Sequence, residues 1–375
     1  MHRIQEIDSM RGFALFGVLL VNIFVFHAPL CYYGEFYGAM EGIEAAIVNA
    51  VVVLASGKFL FIFAFLFGYG ISLQWTLLGP MFYSVFAKRM MILFLFGGAH
   101  IVLFWFGDIL ATYALLGIII IPLMRMSSGW MLFFGAFFLL FRPFYYLGAL
   151  YLDWPLIPPE QPVSLEEFKS IFQNGSFLEI LQLRMKELIA FIPENLVWFI
   201  PKTFGLFFIG IYAARKEFFT KLKKQMKNFI LWFVMFFLIS MSWNYYKNDV
   251  FALIDLSEDP EWRPILIGIN VIVEFCQGMA YIIGLGIIFQ RNNFISEIFA
   301  RTGRLALTNY ILQSLLCVFI FYGFGLGYYS TLLPSDLVLI AVCIFGFNLF
   351  GSYWYLQYKS IGPLEYIWRK WTRIN

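Results

Sequence analysis

The sequence predicts an all-α, polytopic integral membrane helical bundle of about ten transmembrane helices, and three observations carry that prediction. Of the 375 residues, 61% are hydrophobic, 21% aromatic and 13% charged, and the mean hydropathy is +0.79; an ordinary soluble domain carries roughly 25% charged residues. Apolar runs close to the ~20 residues needed to cross a bilayer recur along the whole chain. The basic residues gather between alternate runs, as the positive-inside rule requires. Residues 1–375 therefore read as a single integral membrane domain with a lipid bilayer as its surroundings.

The first run, 12–30, follows Arg3 and Arg11 and could be taken for a secretory leader. Asp8 among the basic residues, and the absence of a small-x-small pattern in His27-Ala-Pro-Leu-Cys, make it a retained span. The remaining spans are expected at 57–79, 90–106, 108–125, 128–149, 190–213, 228–246, 265–289, 304–323 and 335–357. Residues 43–54 are too short for a crossing and begin among acidic residues, so they read as an interfacial or re-entrant helix.

With the N-terminus in the cytoplasm, the inner segments hold Arg3, Arg11, Lys88, Arg89, Arg125, the cluster Arg215 to Lys227, Arg291, Arg301, Arg304 and the group Lys359 to Arg373. The opposite loops hold Glu35, Glu41 and Glu44, then Asp153, Glu160, Glu166 and Glu167, then Asp249 to Glu261. Both termini are thus expected inside, in a bacterial cytoplasmic membrane. The loop at 153–187 falls outside and contains two capping boxes, Ser164-Leu-Glu-Glu167 and Ser176-Phe-Leu-Glu179, each opening an amphipathic helix that could cover an outward site.

Four Cys without paired spacing and three scattered His predict neither a disulfide framework nor a metal site. No nucleic acid partner is expected, and a homodimer is compatible with the sequence.

Function must lie in polar residues that lipid cannot solvate. The stretch Gly97 to Tyr113 places His100 and Asp108 in an otherwise apolar run, and an ionisable residue in such a segment faces a protein interior or a wet cavity. Asp8, Arg11 and Asn22 share a face of the first span. Asn270, Glu274, Gln277 and Tyr281 form a stripe on the eighth, and Arg304, Thr308, Asn309, Tyr310, Gln313 and Ser314 punctuate the ninth. These faces are satisfied only by converging on a polar cavity or an interhelical network. Glu274, Gln277, Asn309, Gln313 and His27 are the expected substrate-cavity residues.

These residues also resemble a family. Asp8-Ser-Met-Arg11-Gly12, Phe63-Ala-Phe-Leu-Phe67-Gly68, His100 with Gly107-Asp108 and Tyr113, Gly303-Arg304-Leu-Ala-Leu-Thr308-Asn309-Tyr310 and Gly362-Pro363-Leu-Glu365 to Arg369 resemble, in order and over almost the whole chain, the YeiB family of bacterial membrane proteins. The opening Asp-x-x-Arg-Gly pattern with Asn22 is further similar to the heparan alpha-glucosaminide N-acetyltransferase family. That resemblance implies transfer of an acetyl group from cytosolic acetyl-CoA, or another acyl-CoA, to a saccharide across the membrane, with Asn22 at the place of an active-site Asn. His27 lies near the place of the family's catalytic His, and His100 is the alternative base.

Acyl transfer needs a base that titrates near neutrality, which His100 supplies, with Asp108 to orient it and Asn22 to donate to a developing oxyanion. Arg11, Arg89 and Arg304 at the inner mouth are the expected phosphate ligands for the CoA donor, because guanidinium groups pair with phosphate oxygens. The alternative is a small-molecule transporter that uses the same His, Asp and Glu residues as substrate site and proton relay.

Overall fold

The computed structural model describes residues 4–156, 161–254, 256, 259–291 and 293–372. Arg3, Glu160, Asp255, Glu258 and Arg373, used above in sorting charges, lie outside the described residues. Among those described every regular element is helical. The chain begins α1 (Gln5–His27), α2 (Tyr33–Gly38), α3 (Gly42–Leu54), α4 (Lys58–Leu78), α5 (Phe82–Leu103) and α6 (Leu110–Ile120). It continues α7 (Ser128–Leu139), α8 (Phe141–Tyr151), α9 (Leu165–Asn174), α10 (Phe177–Val197), α11 (Phe199–Arg215) and α12 (Phe218–Lys224). It ends α13 (Met226–Ala252), α14 (Trp262–Phe289), α15 (Phe294–Arg304), α16 (Ala306–Phe321), α17 (Pro334–Tyr358) and α18 (Pro363–Thr372).

This is a polytopic membrane bundle, since helices satisfy their own backbone in lipid and leave large apolar side chains facing outward. On α13 the exposed positions include Leu231, Trp232, Leu238 and Ile239, and its one buried residue is Ser240.

Against the ten crossings expected, length and composition give five to eight candidates among the described residues. Five helical stretches among the described residues are long and apolar enough to span, namely Gln5–His27, Gly42–Leu103, Met226–Ala252, Trp262–Phe289 and Pro334–Tyr358. The second of these contains α3, α4 and α5. Three bent pairs raise the number to at most eight: α7 with α8 at 54°, α10 with α11 at 49°, and α15 with α16 at 78°. The fourth expected span is shortened to α6, whose 11 residues cover only ~16 Å at 1.5 Å per residue.

Water supplies no drive for helix association inside lipid, so close backbone contact and buried polar pairs hold the bundle. A Cβ on Gly68 would lie 2.2 Å from the Phe207 carbonyl oxygen, and one on Gly210 would lie 2.1 Å from that of Phe65, so α4 and α11 meet backbone to backbone. Helix α3 is 13 residues long, and its C-terminal carbonyls are capped from other helices. Val52 accepts from Lys58 Nζ, Val53 from Gln277 Nε2 and Leu54 from the Tyr281 hydroxyl. Gly57, at φ +77°, makes the turn into α4.

Both described termini lie at one end of the bundle, called here the near end. Lys223 pairs with Glu6, Arg304 donates to the Ser360 carbonyl at 3.0 Å, and Trp368 Nε1 donates to the Arg89 carbonyl at 2.9 Å. At the far end Ser164 and Ser176 of the long loop start α9 and α10 by accepting from the amides of Glu167 and Glu179, and of the two expected capping boxes only Ser176–Glu179 is closed from both sides. Helix α9 is short, but α10 runs 21 residues into the bend with α11. It buries Arg184, whose guanidinium donates to the carbonyls of Val102 and Phe104 at the C-terminal end of α5.

Candidate functional site

The near end encloses a cavity of about 370 Å³ between α1, α4, α5, α6, α16 and α18. Two glycines build its mouth. Gly12 on α1 and Gly303 on α15 allow their helices to touch, and each is followed or preceded by an arginine that lines the cavity, Arg304 and Arg11. Arg89 and Arg369 complete a ring of four guanidinium groups. Asp8 stands 3.5 Å from Arg11, which also donates to the Leu66 carbonyl at 3.4 Å, and Arg89 donates to the Gln74 side chain.

Helix α18 closes one side of the mouth. Glu365 accepts from the Thr308 amide at 3.1 Å and from the Thr308 hydroxyl at 2.6 Å, which caps α16 and fixes α18 across its start. Deeper in, the walls become apolar: Leu15, Val18, Phe63, Phe67, Met90, Leu93 and Leu307. The cavity ends at Tyr113 and Tyr310. An anionic head and an apolar tail are the shape and polarity it offers.

Behind Tyr310 lies the polar centre. The His100 and Tyr310 rings sit 5.0 Å apart and 31° from parallel. His100 Nε2 is 2.8 Å from Ser314 Oγ, and His100 Nδ1 is 3.1 Å from Asp108 Oδ1, with both His100 and Asp108 side chains fully buried. The approach to Asp108 is not aligned as a hydrogen bond, so this contact is electrostatic. A lone pair on Nδ1 would repel the carboxylate, which places the proton on Nδ1 and leaves Nε2 to accept from the Ser314 hydroxyl. The order carboxylate, imidazole, hydroxyl is the arrangement by which a serine is activated as a nucleophile.

Asp108 reaches His100 because residues 104–109 fold back into the bundle rather than looping beyond it; Trp105, Phe106, Asp108 and Ile109 are all buried. Its second oxygen accepts from the Ala111 amide at 2.6 Å and so caps α6. Gly97 makes room, since a Cβ there would lie 2.7 Å from Asp108 Oδ2 and 2.3 Å from the Ala111 nitrogen.

The structure therefore brings Arg11, Arg89 and Arg304 to one cavity and His100 to Asp108, one ring beyond its floor. It places the other expected residues elsewhere. Asn22 is half-buried on α1 and does not line this cavity. His27 is fully buried at the far end, where Nε2 accepts from the Leu332 amide at 3.0 Å. Its Nδ1 then carries the proton and donates at 2.9 Å to the Tyr37 hydroxyl, which donates onward to the Phe24 carbonyl.

Asn309 donates to the Thr302 carbonyl and Ser352 Oγ, and Gln313 donates to Asn348 Oδ1, so both tie α16 to α15 and α17 instead of facing the cavity. Gln277 caps α3 as described above. Glu274 pairs with Lys202 in a second pocket between α7, α8, α11 and α14. Sequence reasoning left out Arg369, Arg184 and Lys202, and it noted Tyr310 and Ser314 only as polar punctuation. Lys202 was detectable as a lone cation among apolar residues, whereas Arg184 stands beside Lys186 and Glu187 in an amphipathic stretch that gave no such signal.

Residues 213–375 match the family model described as a protein of unknown function, DUF418. The chain is 25% identical to the uncharacterized protein YxaH of Bacillus subtilis (strain 168), over 100% of this chain and 95% of that protein. It is 26% identical to the uncharacterized protein YeiB of Escherichia coli (strain K12), over 99% and 97%. It is also 26% identical to an uncharacterized 39.9 kDa protein in the amylase 3' region of Bacillus acidopullulyticus, over 99% and 94%. No solved structure matches the chain.

Proposed function

We propose that this chain, which belongs to the DUF418 family of YeiB-like proteins, is an acyltransferase of the bacterial cytoplasmic membrane that takes an acyl group from cytosolic acyl-CoA and passes it to an extracytoplasmic acceptor such as a saccharide. The observation that carries this reading is a single cavity with four arginines at its mouth and, behind its floor, an Asp108, His100 and Ser314 array. The basic residues at the near end support a cytoplasmic mouth by the positive-inside rule.

The residues fit such a donor. Arg11, Arg89, Arg304 and Arg369 would hold its phosphates, and the apolar walls would take the acyl arm; 370 Å³ lies toward the small end of ligand pockets, so the nucleotide stays at the mouth. When bound, the donor supplies an activated acyl carbon. His100 Nε2 takes the proton from Ser314 Oγ as that oxygen bonds to the acyl carbon, and returns it to the departing sulfur. Asp108 stabilises the imidazolium between these two events. The acceptor hydroxyl or amine then bonds to the acyl carbon as the same imidazole takes its proton, and the acyl–Oγ bond breaks as the imidazolium returns that proton to Ser314 Oγ. Tyr310 must turn aside for the acyl group to reach Ser314.

The test is to incubate purified protein with acetyl-CoA and look for an acyl adduct on Ser314 by intact and peptide mass spectrometry. Wild type should carry it, and Ser314→Ala and His100→Gln should not. Absence of both acetyl-CoA binding and acetyl-CoA consumption would sink the reading.

A proton-coupled transporter is the second reading, favoured by the interruption between α5 and α6 that carries Asp108 into the bundle interior. Substrate counterflow in proteoliposomes that is indifferent to acyl-CoA would favour it.

A further inference from the structure

A second pocket, of about 220 Å³, lies where two broken helices meet α14. The bend between α7 and α8 and the bend between α10 and α11 both border it, through Leu139 and Arg142 on one side and Trp198 and Lys202 on the other. Backbone is interrupted at membrane depth only where it is buried in protein or lines a cavity. Here the interruptions turn the first residues of α8 and α11 toward the pocket.

The charges in it do not balance. Lys202 pairs with Glu274, and the pocket's other lining cation, Arg142, together with Lys58 at the neighbouring start of α4, leaves positive charge in excess. Lys58 is accounted for by the α3 carbonyl it caps. Arg142 is not: its guanidinium lies over the Trp198 ring at 5.7 Å and donates no hydrogen bond to another described residue. Lys202 lies over the same ring, also at 5.7 Å. An excess of positive charge within an apolar bundle is costly unless an anion meets it. Asn270 adds a polar edge, oriented by the indole N–H of Trp243, which donates to its Oδ1 at 2.8 Å.

We infer that this pocket is a binding site for an oxyanion, a phosphate or carboxylate group, received by Arg142 and Lys202 with Trp198 as the apolar wall. The planar fork of Arg142 suits two oxygens of such a group. This inference does not rest on the acyl-transfer reading, because it uses neither the arginine ring nor His100.

The test uses the full-length protein in dodecyl maltoside, titrated calorimetrically with inorganic phosphate against chloride at matched ionic strength, in wild type, Arg142→Gln, Arg142→Lys and Arg304→Gln. Arg142 has no ion-pair partner within reach to strand, so Arg142→Gln should fold. The expected result is a phosphate-binding component that weakens at least tenfold in Arg142→Gln, is partly kept in Arg142→Lys and survives Arg304→Gln. If free phosphate gives no such component, the same variants are melted in nanodiscs of phosphatidylglycerol and of phosphatidylcholine. Stabilisation by phosphatidylglycerol that needs Arg142 identifies a lipid headgroup as the source. Equal behaviour of wild type and Arg142→Gln in both arms overturns the inference.

Discussion

Gly12 of α1 and Gly303 of α15 hold two helix backbones in contact: a Cβ on Gly303 would lie 1.9 Å from the Asp8 carbonyl oxygen, and one on Gly12 would lie 2.0 Å from that of Phe299. The atoms in the way are backbone, which cannot swing aside as a flexible side chain would. Gly303→Ala should therefore cost at least the ~1–3 kcal/mol typical of overpacking, measured as a lower midpoint of thermal unfolding in detergent. Because Arg304 is carried by the same helix end, the variant should also bind acyl-CoA more weakly. A Gly303→Ala protein as stable as wild type would mean that α1 and α15 do not touch.

The Asp-x-x-Arg-Gly and Gly-Arg motifs were legible in the sequence as family markers, but their physical reason was not. It depends on two segments nearly 300 residues apart meeting at a glycine. The helical character of all ten apolar segments followed from composition, whereas their completeness did not. The run 108–125 gives no sign that its first residues are drawn inside the bundle, and it is that recess which brings Asp108 to His100. Polar residues within spans were correctly seen to need partners. Which partner each takes is set by helix rotation, so Gln277, Asn309 and Gln313 look in the sequence like the cavity residues they are not placed as. Ser314 was noted only as polar punctuation because a lone hydroxyl in a helix can satisfy itself on its own backbone, and here the Tyr310 carbonyl, 3.3 Å from its Oγ, is the alternative acceptor to His100.

The arginine ring makes a separable prediction. Arg304→Ala should weaken acyl-CoA binding by about 1.5–3 kcal/mol, the range for a lost charge-assisted hydrogen bond, with a smaller loss of thermal stability from its bond to the Ser360 carbonyl. Arg11→Ala should weaken binding similarly and also lower stability, since Arg11 is joined to Asp8 and the Leu66 carbonyl. Equilibrium dialysis with labelled acetyl-CoA reads both. Unchanged affinity in Arg304→Ala would move the donor site away from this cavity.

Arg184 is completely buried and satisfies carbonyls that the end of α5 leaves unpaired. Arg184→Met keeps most of the side-chain volume and removes the donors, so the Val102 and Phe104 carbonyls lose their partners and Glu187 loses its neighbouring cation. A loss of roughly 3–5 kcal/mol is expected, the range for breaking a buried charged contact. It should appear as a lowered unfolding midpoint and as faster amide exchange at residues 102–109, the segment that carries Asp108. Unaltered exchange there would separate α10 from the polar centre.

His100 and His27 are both buried, and their surroundings predict opposite outcomes. Each nitrogen of His27 is committed to a fixed partner, Tyr37 on one side and the Leu332 amide on the other. His27→Gln should therefore lower stability by about 1–3 kcal/mol through a lost buried hydrogen bond and leave the rate per folded molecule unchanged. His100 lies between a carboxylate and a hydroxyl, behind the one ring that separates it from the cavity. Gln at position 100 can keep a hydrogen bond to Ser314 but accepts no proton near neutral pH. His100→Gln should fold, insert and bind acyl-CoA with near wild-type affinity, yet form no acyl adduct and show no turnover. Asp108→Asn should fall between, retaining the cap on Ala111 while losing the charge that stabilises the imidazolium. Single-turnover rates, normalised to folded protein, distinguish these variants. A fully active His100→Gln would make the imidazole a packing residue and remove the base from the proposed reaction.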